Sequence, residues 1–310
     1  LHVLYAEKNK TLSGVAEYLS DPDRDISATL DHMLTTKHLA GFVRRRVHPI
    51  VAQCAREVKN KTAAERSGVV STALTFLSLY RDPVVARATS ASDFQIADLV
   101  SGPDPVSLYL AVPPSDVSRT RPLMRLMLNQ IARRLTESEY SLGDRRQVLF
   151  MLDEFPTLGR LAFFEDSLGY MAGYGLRAFL ITQSLNQIDK AYGPSNAILD
   201  NCHVRVAFAT NDERTAKRIS DALGTKTEQR AMKNYAGHRL APWLSHVMIS
   251  RQETARALLT PGEIMQLPDD EELIMISGVR PIRAAKLRYY EDLNFIRRCI
   301  EPPSIEPAPD

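Results

Sequence analysis

Along the first seventy residues the apolar positions fall at helical spacing. Tyr18, Leu19, Ile26, Leu30, Met33 and Leu34 recur in a polar background, the pattern of amphipathic helices. Val69–Leu79 continues as an apolar helix, with no β-like alternation before Val100. The pattern predicts a small all-α domain over residues 1–80. After Pro83 the pattern changes. Val106–Val112 (VSLYLAV) is an apolar run closed by Pro113-Pro114, as expected of a buried strand leaving a sheet. Val148–Leu152 (VLFML), Ala178–Thr182, Val204–Ala209, Leu273–Ser277 and Arg283–Tyr289 read as further strands. Helical stripes lie between them: Pro122–Leu135, then Leu161, Phe164, Leu168 and Met171, then a polar helix from Gln183 to Ala191. Thr210-Asn211-Asp212-Glu213 and Thr260-Pro261-Gly262-Glu263 read as capping boxes, the first opening a helix that stops at Gly224. Strands alternating with helices predict an α/β domain over residues 81–300, its mostly parallel sheet covered by helices on both faces. Ligands of such sheets bind beyond the carboxyl ends of the strands. Residues 301–310 read as a Pro-rich acidic tail.

Composition narrows the class. The 310 residues are 44% hydrophobic and 25% charged, which excludes a disordered chain, a coiled-coil rod and a collagen-like fibre. The longest membrane-like stretch, Gly68–Tyr80, falls well short of the roughly 20 apolar residues a span needs. No signal-peptide pattern opens the chain, and it begins with Leu1 rather than Met; the expectation is a piece of something longer. Cys54, Cys202 and Cys299 are scattered, which argues for a reducing compartment and against a disulfide scaffold or a thiolate zinc site. The seven histidines form no H-E-x-x-H. The net charge of +2 implies no partner, but between Lys37 and Arg66 eight Lys/Arg face two acids. That stretch, with Arg44, Arg45 and Arg46 at its centre, reads either as a solvated helix surface or as an anion-binding face for nucleic acid or an acidic partner.

The sharpest chemistry is in Val148–Glu154, VLFMLDE. Two carboxylates at the carboxyl end of an apolar strand suit nucleotide hydrolysis. Asp153 would hold the water shell of a magnesium ion, and Glu154 would orient or deprotonate the attacking water. The bland alternative is a strand ending in two solvated acids. Gln183, at the tip of the next strand, is placed to sense a γ-phosphate through its amide, or merely to start a helix.

LFMLDEFPTLGRL, GYMAGYGLRAFLITQSLNQIDKAYG and NCHVRVAFATNDERTAKRISDALGT, together with SLYLAVPPSD and RPLMRLMLNQIARRL upstream and SRQETARALLTPGEIMQLP downstream, resemble the type IV secretion coupling proteins of TraG/VirD type. The resemblance covers roughly Gly68 to Arg288. It implies a RecA-like fold, ATP and Mg2+ as cofactors, and a hexameric ATPase on the cytoplasmic face of the bacterial inner membrane. It further implies recruitment of a relaxase–DNA complex (relaxosome) or an effector protein to a secretion channel, and sequence-independent contact with single-stranded DNA. The helical N-terminal segment would be the small all-α insert of that family's nucleotide domain. Asp153 and Glu154 would be the Walker B pair, with Asp153 the metal-holding residue, and Gln183 the sensor.

Three departures qualify the resemblance. The phosphate-binding loop G-x-x-x-x-G-K-[ST] has no copy here, and Gly224-Thr225-Lys226-Thr227 reads as a helix C-cap. Without that loop and without membrane helices, the expectation is the C-terminal portion of a coupling protein, poorly active alone. The family's basic residue after Walker B is matched by Met171-Ala172-Gly173, which leaves Arg177 and Arg160 as candidates for an arginine supplied in trans. Tyr170 and Tyr174 sit among glycines, either touching DNA near a channel or packing at a helix end. A competing reading makes the segment a recruitment module, binding a relaxase or effector through its helical domain with the sheet as scaffold.

Overall fold

The computed structural model describes residues 1–39, 46–137, 146–236 and 246–301. The chain divides into two compact units, Leu1–Arg146 and Gln147–Asp310. The domain limit expected at residue 80 lies inside the first.

The first unit is helical, as the spacing predicts. Its elements are α1 (His2–Ala6), α2 (Leu12–Leu19), α3 (Ile26–Thr35), α4 (Pro49–Lys59), α5 (Ala63–Leu77), α6 (Pro83–Ala88), α7 (Asp98–Ser101) and α8 (Val117–Thr136). Short polar side chains start them by accepting otherwise orphaned backbone N–H groups. Thr11 accepts from Gly14 and Asp25 from Ala28, while Thr62 and Glu65 form a reciprocal capping box. Ala16, Tyr18, Leu30, Val51 and Ala55 are buried, as are Leu128, Ile131, Ala132 and Leu135 on one face of α8. One expectation fails here. Val106–Val112 is not a strand: it pairs with no other segment among the described residues, and Val106, Leu108 and Tyr109 are exposed. The run is neither buried nor paired, and only a hydrogen-bonding neighbour makes an apolar run a strand. Helix α5, apolar in sequence, buries none of its residues.

The second unit holds β1 (Val148–Leu152), α9 (Ala162–Ser167), β2 (Leu176–Leu180), α10 (Leu185–Tyr192), β3 (Val204–Ala207), α11 (Glu213–Leu223), β4 (Thr225–Ala236), β5 (His246–Ala257), α12 (Pro261–Met265), β6 (Glu271–Ile276), β7 (Ile282–Ala285) and α13 (Leu293–Ile296). Strands β1 and β2 are parallel, Val148 opposite Leu176 and Leu152 opposite Leu180. Strands β3, β6 and β7 form a separate antiparallel sheet, so among the described residues parallel pairing is confined to β1–β2. β1 buries one face only: Phe150 and Leu152 point into the core, while Leu149 and Met151 are exposed, as is Phe179 on β2. The strand is therefore not covered on both faces as its sequence predicts.

β4 and β5 form a two-stranded antiparallel ribbon in which Thr225 faces Ala257 and Ala236 faces His246. The apolar pattern does not show it, because Thr225, Lys226 and Thr227 at its base stand in solvent and need no alternation. A core of Ala216, Ile219, Leu223, Ile264, Leu267 and Leu273 joins α11, α12 and β6. The Thr260–Glu263 box opens α12 as predicted. The box predicted at Thr210 does not form; Asp212 caps α11 by accepting from Thr215, and Gly224 ends it at φ +84°. Among the described residues, no helix is long and apolar enough to cross a membrane.

Candidate functional site

Asp153 and Glu154 leave the end of β1 with little freedom. Glu154 has φ +45° and ψ +43°, the left-handed conformation that costs a non-glycine residue about 1–2 kcal/mol. The next residues hold it there. Phe155 is fully buried, stacked on Tyr192 at 5.3 Å and packed against Phe164. Its N–H donates to the Ile181 carbonyl at 3.0 Å, beyond the end of β2. The Thr157 N–H and hydroxyl both donate to the Glu154 carbonyl at 2.8 Å. The turn thus lifts the Glu154 carboxylate off the strand axis, and an aromatic anchor fixes the turn.

Gln183 stands beside it. β1 and β2 are parallel neighbours, so their carboxyl ends lie side by side. The Gln183 Nε2 amide donates to Glu154 Oε1 at 2.7 Å. Asp153 is exposed, and its Oδ1 accepts from the Glu154 N–H at 3.1 Å. A solvent-facing carboxylate with lone pairs to spare is a donor of the kind a hydrated Mg2+ takes, so the residues present fit that ion. The structure therefore brings Asp153, Glu154 and Gln183 to one place.

The other candidates lie elsewhere. Arg177 faces Leu149 near the start of the two strands, away from Glu154, and donates to Gln147 Oε1 at 3.3 Å. Arg160 is ion-paired with Glu165 at 3.1 Å. Tyr170 is half exposed, its ring edge-on to Tyr174 with centroids 6.2 Å apart. Arg46 is exposed, in an isolated bridge with Leu39. Arg44 and Arg45 lie outside the described residues.

Sequence reasoning passed over the residues that brace this centre. Gln187 Oε1 accepts from the Gln183 backbone N–H at 3.2 Å and lies 2.8 Å from the Thr182 hydroxyl. The Leu185 N–H donates to Thr215 Oγ1 at 3.1 Å, and Asn186 Nδ2 to Asp212 Oδ1 at 2.8 Å. The Thr215 hydroxyl, first among several hydrogen bonds, holds the Asp212 carboxyl below its ordinary value. The only advance signal was S-x-x-Q at 184–187, a capping-box pattern.

A second polar cluster lies in the helical unit. The His48 N–H donates to His38 Nδ1 at 3.2 Å, so neutral His38 carries its proton on Nε2. That proton points at His2 Nδ1, 2.8 Å away, which places the proton of His2 on Nε2, facing Glu7 Oε1 at 3.2 Å. Ligand atoms of His2, Glu7 and His32 lie within 4.8 Å of one another, close enough to hold a cation. The donor directions already join His2 to Glu7 through a proton, which an ion would have to displace. Burial lowers the pKa of both His2 and His38 and pushes the neighbouring Tyr18 phenol up to about 12.

Comparisons with known proteins bear on this arrangement. A family model described as type IV secretory system conjugative DNA transfer matches residues 1–308. The chain is similar to conjugal transfer protein TraG of Escherichia coli, 36% identical over 327 residues that cover 97% of this chain and 51% of that protein. It is 37% identical to protein VirD4 of Rhizobium rhizogenes over 228 residues, 73% of this chain and 33% of that one. The chain spans about half the length of the TraG relatives it matches. Among solved structures, the bacterial conjugative coupling protein TrwBdeltaN70 in an unbound form aligns with a TM-score of 0.59 at 20% identity, over 91% of this chain and 62% of that one. Plasmid coupling protein TrwB in complex with ADP and Mg2+ aligns with a TM-score of 0.56 at 18% identity, over 90% and 63%.

Proposed function

The chain belongs to the type IV secretion family of conjugative DNA-transfer coupling proteins, with their RecA-like α/β fold, and we propose that in a protein of its relatives' length it forms part of an ATP-driven motor. That motor recruits a relaxase–DNA complex or an effector protein to a type IV secretion channel and drives its transfer. The observation that carries the reading is the Gln183–Glu154 hydrogen bond across the tips of two parallel strands.

Each residue of the centre has a role in this proposal. Bound Mg2+ supplies positive charge that offsets the phosphate charge of the nucleotide. Asp153 holds its water shell. Glu154 orients the attacking water and accepts its proton. Gln183 either donates to Glu154, as here, or turns to an oxygen of the γ-phosphate, so its amide reports which nucleotide is bound. TrwB, whose fold the chain shares, has been solved with ADP and Mg2+. Because the chain contains no G-x-x-x-x-G-K-[ST], it lacks the backbone cradle and lysine that bind phosphates and hydrolyses ATP poorly by itself. A hexameric ring at the cytoplasmic face of the inner membrane, with Arg177 or Arg160 reaching a neighbour's γ-phosphate, completes the proposal. Contact with single-stranded DNA, through Arg44, Arg45, Arg46, Tyr170 and Tyr174, is electrostatic and stacking in character and weakens steeply with salt.

The test is ATP hydrolysis with and without single-stranded DNA. It compares this chain with a form extended upstream to the relatives' length, each beside a Glu154→Gln control. Activity confined to the extended form and lost in the control is the expected result. Hydrolysis unaffected by Glu154→Gln rules the motor reading out.

A second reading, recruitment without catalysis, is favoured by α5, which leaves Val69 and Phe76 exposed. Under it, charge reversal at Arg44–Arg46 abolishes relaxase or effector binding while Glu154→Gln leaves transfer intact.

A further inference from the structure

We propose that Gln187 is a positioning residue that holds Gln183 against Glu154; this rests on reading that pair as the nucleotide-responsive centre. Ser184-Leu185-Asn186-Gln187 has the sequence of a capping box, in which the N3 glutamine reaches back to the N–H of the capping residue. The structure departs from that pattern by one residue. Ser184 caps α10 without a side-chain hydrogen bond. Gln187 Oε1 passes over it and accepts from the Gln183 N–H at 3.2 Å. The same oxygen lies 2.8 Å from the Thr182 hydroxyl, closer than that hydroxyl's other contact, the Ser184 carbonyl at 3.0 Å.

One backbone donor at the start of α10 is satisfied from another side. The Leu185 N–H donates to Thr215, and the Asn186 side-chain amide donates to Asp212. The Gln187 oxygen is therefore directed at the strand tip rather than at the helix end. Upstream, the Ile181 N–H donates to the Leu152 carbonyl and its own carbonyl accepts from Phe155, both at 3.0 Å. The backbone of Gln183 is thus pinned on both sides, by β1 before it and by Gln187 after it. A long side chain meets a distant carboxylate reliably only when its own Cα is held.

Two variants separate positioning from capping. Gln187→Leu removes the acceptor at similar length, and Gln187→Glu keeps it. The first readout is amide hydrogen exchange in the 310-residue chain. Gln187→Leu should speed exchange at the Gln183 N–H about tenfold and leave the N–H groups of Ile188 and Tyr192 unchanged, and Gln187→Glu should restore protection. Thr182→Val, which leaves the helix sequence intact, should loosen the same N–H to a lesser degree. Unchanged exchange at Gln183 in Gln187→Leu, or loss of protection along all of α10, overturns the proposal. The second readout is ATP hydrolysis by the extended form, where Gln187→Leu should lower kcat with KM nearly constant and Gln187→Glu should recover it. The expected exchange pattern together with hydrolysis indifferent to Glu154→Gln would sink the motor reading while leaving Gln187 as the brace of the strand tip.

Discussion

The side-chain amide of Gln183 donates to the Glu154 carboxylate at 2.7 Å, joining residues 29 positions apart in the chain. The contact exists because β1 and β2 are parallel neighbours whose carboxyl ends coincide, and because a left-handed residue turns one carboxylate toward the other strand. Groups that meet this closely should act as a unit. In the extended form, Glu154→Gln should lower kcat by about 10²–10⁴, the usual worth of a positioned general base. Adding Gln183→Ala should cost little more. Steady-state hydrolysis measures both, and fully additive losses would show that the two residues work separately.

The backbone at Glu154 predicts a conflict between stability and activity. Glycine tolerates φ +45° where glutamate is strained, so Glu154→Gly should raise stability by about 0.5–1 kcal/mol while removing hydrolysis. Urea denaturation of this chain reads the first effect. A lowered midpoint would mean that the Gln183 contact outweighs the strain.

Phe155 is the anchor beneath that strained residue, fully buried between Tyr192 and Phe164. Phe155→Ala should destabilise the second unit by about 3–5 kcal/mol. Phe155→Leu, which fills most of the space, should cost appreciably less. Equal costs for the two variants would contradict a packing role.

The histidine relay sets a pH dependence for the helical unit. Burial holds His2 and His38 below the ordinary imidazole value of 6.5, the Glu7 hydrogen bond pulling His2 the other way. His32 and His48 add like charge when protonated, to His2 and His38 respectively. Between the folded and unfolded values the unfolded chain binds more protons, so stability is complete above pH 6.5 and is lost as pH falls from there through the lower folded values. Helical circular dichroism followed in urea between pH 8 and 5 should show the midpoint falling below pH 6.5. A His38→Gln variant should flatten the profile, and a flat profile in the parent chain would refute the relay.

Much of the centre was legible before the fold. Asp153 and Glu154 follow an apolar run that reads as a strand, and acids at the carboxyl end of a strand are already suggestive. Gln183 was legible for the same reason one strand later. The two residues that make the geometry work were not. Phe155 looks like any apolar residue after a strand, and nothing in its neighbours says that it is the most buried side chain of the turn. Gln187 looks like a helix cap and serves the strand tip instead. Val106–Val112 shows the opposite error, an apolar run whose strand needs a partner that the described residues do not provide. The β4–β5 ribbon was missed because the base of a hairpin standing in solvent carries no apolar period to read.

The sequence by itself determined a helical stretch followed by strands alternating with helices, the acids at the end of β1, the capping of α12, and the family resemblance. These rest on local spacing and on residue types whose preferences act within a few positions. Only the tertiary structure decided that Glu154 is left-handed, that Gln183 reaches it, that Gln187 braces Gln183, and that His2, His38 and Glu7 form one directed relay. Each of those depends on which strand or helix lies beside another, and that is settled by burial summed over the whole unit rather than by any short stretch of chain.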